Sequence, residues 1–187
     1  MKQQKIKKIL TDAKAAELWE DGNKMWLGDG CAMYALDGLP KFEMSVVPVL
    51  YDINLDKFAE YMQTEEERPE PEEAYRGLVY AQIGAEVDEI IIAGVSYTPV
   101  LCKGSGIRFV KTRYLVPLEE ETTFEIGFTP SGQEALICKE GLFVVAIIEF
   151  VPISRSFVSA LGGLYTYAQA ELRKNKEKEN ENADTAD

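Results

Sequence analysis

The spacing of apolar residues changes period several times along the chain, and each change marks an element. Ile6, Ile9 and Leu10, three and four apart, predict a short amphipathic helix whose other face is rich in lysine. A second helix is predicted from Leu55, with Asn54 as N-cap and Phe58, Tyr61 and Met62 as its apolar positions. A third short one is predicted around Lys111 to Leu118. Strands are predicted over Ala15–Trp19, Lys24–Leu27, Ala32–Leu36, Leu78–Ile83, Glu89–Val95, Thr123–Phe128, Ala135–Lys139 and Leu142–Val151. In the last of these, Val144, Ala146 and Ile148 alternate with Val145, Ile147 and Glu149, the pattern of a strand buried on both faces. Turn residues separate the strands, at Asp21-Gly22, Gly28-Asp29-Gly30, Asp37-Gly38, Gly104-Ser105-Gly106, Pro130-Ser131-Gly132 and Glu140-Gly141. A final helix is predicted over about Arg155 to Arg173, striped by Phe157, Ala160, Leu161, Leu164, Tyr165, Ala168 and Leu172. Together these give an α+β fold: a short helix followed by mainly antiparallel strands, repeated about three times, with a C-terminal helix added.

Charge divides the chain further. Its 187 residues carry a net charge of −12, yet residues 1–14 are net positive through Lys2, Lys5, Lys7, Lys8 and Lys14. Thr64 to Glu73 holds six glutamates, two prolines and no apolar residue, and so reads as an exposed, self-repelling loop. The expected organisation is therefore residues 1–63, an acidic loop over 64–73, residues 74–154, a helix over 155–173 and a solvated tail over 174–187. With no histidine in the sequence, imidazole base catalysis, the usual serine and cysteine triads and His-ligated zinc are excluded. Cys31, Cys102 and Cys138 lack the Cys-x-x-Cys spacing of a zinc site, and three widely spaced thiols suit a reducing cytoplasm. The glycine groups lack the context of a phosphate cradle, and Glu119, Glu120 and Glu121 lie in a polar run with nothing to desolvate them. The longest apolar run, Leu142 to Ile148, is far short of a bilayer span, and the lysine-rich start lacks the apolar core of a secretory leader. The expectation is a protein with no metal site, no cofactor and no membrane partner, although the lack of histidine leaves a carboxylate or metal mechanism open.

One stretch has a recognisable order. Ile107-Arg-Phe-Val-Lys-Thr-Arg-Tyr-Leu-Val-Pro-Leu118 is followed by strands ending in Val144 to Val151, with Phe109, Tyr114, Leu115 and Pro152 at telling places. The strand-turn-strand Trp26-Leu-Gly-Asp-Gly-Cys-Ala-Met-Tyr34 adds to it. Over about half the chain, this resembles the DNA sliding clamps, the processivity factors of replication. The resemblance implies a non-enzymatic protein on double-stranded DNA, held by backbone contacts that do not read sequence. It implies a DNA face on Lys2, Lys5, Lys8 and Lys14 of the first helix and on Arg108, Lys111 and Arg113 near the third. It further implies a groove for a client protein's peptide motif near Leu115, Pro117, Ile147 and Pro152. Ring-forming clamps carry more units per chain, and a globular chain of this length has a radius of gyration of about 16 Å, so encircling DNA would need a homo-oligomer. The residues leave a second reading open: a protein-interaction or assembly module without DNA binding, docking a partner through its acidic loop and last helix. The lysines are then a solvated helix face and the valines and isoleucines plain core.

Overall fold

A computed structural model describes residues 2–21, 24–58, 60–64, 79–83, 89–102, 106–128, 133–154, 156–160 and 162–163. The chain forms two compact units, residues 1–151 and 152–187. The architecture is α+β, as the periodicity predicts. In the first unit α1 (Ile6–Ala13) leads into an antiparallel meander of β1 (Ala15–Asp21), β2 (Lys24–Gly28) and β3 (Ala32–Ala35). After α2 (Val47–Tyr51) comes β4 (Glu60–Thr64), which lies parallel to β1. The remaining strands are β5 (Val79–Ile83), β6 (Ile90–Ile92), β7 (Val95–Cys102), β8 (Gly106–Lys111), β9 (Thr123–Phe128), β10 (Glu134–Glu140) and β11 (Phe143–Glu149). All described strands belong to one sheet, in the order β4-β1-β2-β3-β11-β10-β9-β5-β7-β6, with β8 also paired to β7. Every pairing except β1 with β4 is antiparallel.

The central strands are buried on both faces, which explains their near-continuous apolar sequence. One face carries Leu18, Leu27, Tyr34, Leu136, Cys138 and Ile148, and against it pack Ile6, Ile9 and Leu10 of α1 and Val47 and Tyr51 of α2. The other gathers Trp26, Met33, Ala35, Ala135, Ile137, Val144 and Ile147, with Trp19 opposite Trp26 in the register of β1 and β2. The strict alternation expected in β11 is broken by a bulge. Cys138 pairs with Ala146 and Lys139 with Val144, so Val145 is the extra residue. Val144 therefore shares a face with Ile147, while Val145 and Ala146 both turn to the first face with Ile148.

The first helix and most strands form where expected, but the two internal helices do not. Residues Leu55–Lys57 make one 3-10 turn, closed by the Lys57 N–H on the Asn54 carbonyl at 3.3 Å. Asn54 does cap it, its Oδ1 accepting from the Asp56 N–H at 2.9 Å. The chain then extends into β4, because pairing along the edge of β1 overrides the helical spacing of Phe58, Tyr61 and Met62. In place of the helix over Lys111 to Leu118, β8 runs through Lys111 against β7 and a 3-10 turn follows at Thr112–Leu115. The strand predicted over Glu89–Val95 is cut by a hairpin turn at Ala93 and Gly94, both with positive φ, into β6 and β7. The five-residue α2, with Pro48 in its first turn, had no expected counterpart. In the second unit, residues 156–160 and 162–163 are helical, and the rest of the C-terminal helix and tail, like the acidic loop after Thr64, lie outside the described residues.

Candidate functional site

Helix α1 owes its orientation to its own sequence. Burying Ile6, Ile9 and Leu10, at 0 %, 2 % and 0 % exposure, turns Lys5 and Lys8 to solvent. The helix stops at Lys14, whose left-handed backbone (φ 53°) redirects the chain into β1 and leaves its side chain exposed. Among the described residues Lys5, Lys8 and Lys14 make no ion pair. Lys2 anchors the start of the chain, its N–H donating to the Pro117 carbonyl at 2.6 Å and its ammonium lying 3.4 Å from Glu119. Lys7, on the flank of the helix, reaches Asp52 at 3.0 Å.

Beside α1 lies a cavity of about 260 Å3, lined by Lys7, Thr11 and Lys14 from the helix and by Asp52, Ile53, Asn54, Lys57 and Phe58 from the segment after α2. Ile53 and Phe58 pack partly against the main core and supply apolar wall.

The other expected basic group is spent inside the protein. Arg108 on β8 donates from Nε to Glu134 on β10 at 2.8 Å. Lys111 stands over the Tyr114 ring, 5.7 Å from its centroid. Arg113 joins a buried node around Asp29, whose side chain is only 2 % exposed. Asp29 Oδ1 accepts the backbone N–H groups of Cys31 (3.1 Å) and Ala32 (3.0 Å), shaping the β2–β3 turn. Its Oδ2 accepts the Tyr114 hydroxyl at 2.8 Å and the Arg113 guanidinium at 3.2 Å. Arg113 also donates to the Tyr114 hydroxyl oxygen at 2.9 Å, and the Tyr34 hydroxyl donates to the Tyr114 carbonyl at 2.7 Å. The node thus fastens the β2–β3 turn to the segment after β8. Burial pushes the Tyr34 and Tyr114 hydroxyls well above their ordinary range, so both serve as neutral donors. Cys31, half-buried here, has its thiol raised by burial and by the charges of Asp29 and Glu149, the reverse of an activated nucleophile.

Of the seven expected DNA-contacting residues, Lys5, Lys8 and Lys14 offer exposed ammonium groups on or beside α1 with no ion pair among the described residues, Lys2 is tied to Glu119, and Arg108, Lys111 and Arg113 are engaged by their own fold. The expected peptide groove has its residues in different surroundings. Leu115 packs on the first core face and Pro117 is buried beneath the Lys2 amide, whereas Ile147 belongs to the second core face at 5 % exposure. Pro152 is exposed at the start of the second unit. Among the described residues, no three Cys, Asp or Glu side chains converge to hold a metal ion, and no helix is long and apolar enough to cross a membrane. Sequence reasoning missed the cavity, because Asn54, Lys57 and Phe58 were assigned to a helix that does not form. No family model matches the chain, no curated protein matches it, and no solved structure matches its fold.

Proposed function

We propose that the protein is a non-enzymatic, DNA-associated tether of the cytoplasm that binds duplex backbone through α1. The observation that carries this reading is the division of that helix and its caps, with Ile6, Ile9 and Leu10 committed to the core and Lys5, Lys8 and Lys14 exposed. Such ammonium groups act on phosphates over about 8 Å at physiological salt, so a local cationic face operates despite a net charge of −12. The three free thiols support a reducing compartment. Several copies would be needed to surround a duplex, so self-association belongs to the same proposal.

The test is fluorescence anisotropy with a labelled duplex, titrated at several salt concentrations. Three phosphate contacts per copy give a slope of about −3 in log affinity against log salt, and Lys5→Gln with Lys8→Gln should remove about two units of it. No binding at low salt, or a slope the double variant leaves unchanged, refutes the proposal. A second reading, an interaction module without DNA binding, draws on the exposed apolar side chains of α2 and its approach, Val46, Val49 and Leu50 at 41 %, 83 % and 37 % exposure. It predicts no effect of the lysine changes on function and loss of partner binding on Val49→Ser.

A further inference from the structure

The cavity beside α1 shares Lys14 with the tethering proposal and adds features that proposal does not use. Two of its lysines, Lys14 and Lys57, have no ion-pair partner among the described residues. Offsetting the partial negative charge at the C-terminus of α1 would account for Lys14, but Lys57 comes from the separate 3-10 turn. The third lysine, Lys7, is held by Asp52, whose side chain is 98 % exposed. An exposed pair of that kind is worth little and yields readily to a better anion. Asn54 spends its Oδ1 on the Asp56 N–H, which leaves its amide N–H groups to donate. Ile53 and Phe58 complete the wall with apolar surface.

We infer that this cavity is a binding site for a small phosphate monoester bearing a compact apolar or aromatic group. The phosphate dianion sits between Lys14 and Lys57 and displaces Asp52 from Lys7, while the organic group lies against Ile53 and Phe58. Charge supplies the attraction and the apolar wall supplies the preference for an organic ester over the bare ion. A volume of about 260 Å3 accommodates a phosphate and one ring. The site goes beyond the DNA reading, with which it shares Lys14 but not Lys5 or Lys8.

Amide resonances of the full chain, followed by NMR during titration with phenyl phosphate and separately with inorganic phosphate, test this. Phenyl phosphate is expected to bind with Kd of about 1 mM or tighter, shifting the Ile53, Asn54 and Phe58 amides, with inorganic phosphate several-fold weaker. Lys57→Gln should weaken binding at least about fivefold, and Asp52→Asn, which frees Lys7, should tighten it about threefold. Lys5→Gln with Lys8→Gln should leave it unchanged, which separates this site from the duplex face. The inference is overturned if phenyl phosphate causes no saturable shift up to about 10 mM, if Lys57→Gln binds like the parent, or if Asp52→Asn weakens binding.

Discussion

Replacing Asp29 with alanine removes, in one step, the acceptor for two turn amides, a buried tyrosine hydroxyl and a guanidinium. A hydrogen bond to a charged group contributes about 1.5–3 kcal/mol when taken alone, but these four share one carboxylate and do not add. Some of the loss is recovered. The Arg113 side chain is 33 % exposed and can rehydrate, and Cys31 is only half-buried, so its amide can find water. The Tyr114 hydroxyl keeps Arg113 as a neighbour but has no acceptor left among the groups described. The net expectation for Asp29→Ala is a loss of about 3 kcal/mol. In equilibrium urea unfolding, with a slope of about 2 kcal/mol/M for a chain of this size, that lowers the midpoint by about 1.5 M. Tyr114→Phe alone should cost about 1 kcal/mol, and in the Asp29→Ala background it should cost much less. A midpoint shift under about 0.4 M for Asp29→Ala, or strictly additive losses in the double variant, would show that the node does not fasten the β2–β3 turn to the segment after β8.

Other expectations follow from single features. Burial, and then the charges of Asp29 and Glu17, raise the Glu149 carboxyl. The folded state therefore holds that proton more tightly than the unfolded chain, and Glu149 subtracts stability as pH rises from the ordinary carboxylate value through its raised one. Glu149→Gln should flatten this fall in the difference between the two proteins' urea midpoints across pH, and identical profiles would contradict it. Gly28 has no room for a side chain, since a Cβ there would meet the Ala32 carbonyl oxygen at 1.7 Å. Gly28→Ala should cost about 3 kcal/mol or more, measured by thermal unfolding. Gly38→Ala, with φ +79° but open space around it, should cost only about 1 kcal/mol, and equal effects would be inconsistent with the packing described. Cys102 and Cys138 are buried with raised thiols, and Cys31 is half-buried with its thiol also raised. An aromatic disulfide reagent at mild alkaline pH should therefore label one thiol slowly in the native protein and three after denaturation, and prompt labelling of all three would refute the burial.

How much of this was legible in the sequence depended on whether local pattern and tertiary pairing agreed. The first helix was readable because Ile6, Ile9 and Leu10 suit only one period and the lysines between them suit only solvent. Strands β1 to β3 and β9 to β11 were readable from their apolar runs and from glycine at Gly30, Gly38 and Gly141, whose positive φ the turns require. Residues 55–62 were not, because Phe58, Tyr61 and Met62 repeat the helical spacing of Ile6, Ile9 and Leu10, and the open edge of β1, a long-range fact, overrides it. The Val145 bulge was invisible for a similar reason, since an apolar run shows no change when one residue drops out of the ladder. At the candidate site the sequence identified the lysines of α1 but could not tell a free cation from a committed one. Arg108, Lys111 and Arg113 look as available on paper as Lys5 and Lys8. Only the approach of Glu134 and Asp29 from distant parts of the chain, and of the Tyr114 ring in the turn that follows β8, shows that they are already used.

Strand β11 lies between β3 and β10, so the last of the described strands to be made is inserted into the middle of the sheet. On the ribosome, the meander of α1 and β1 to β3 must wait with one flank of β3 unsatisfied until residues 143–149 emerge. An apolar strand left with a bare edge invites pairing with another nascent chain. A transcript truncated before that point would yield a sticky half-sheet rather than a smaller soluble protein.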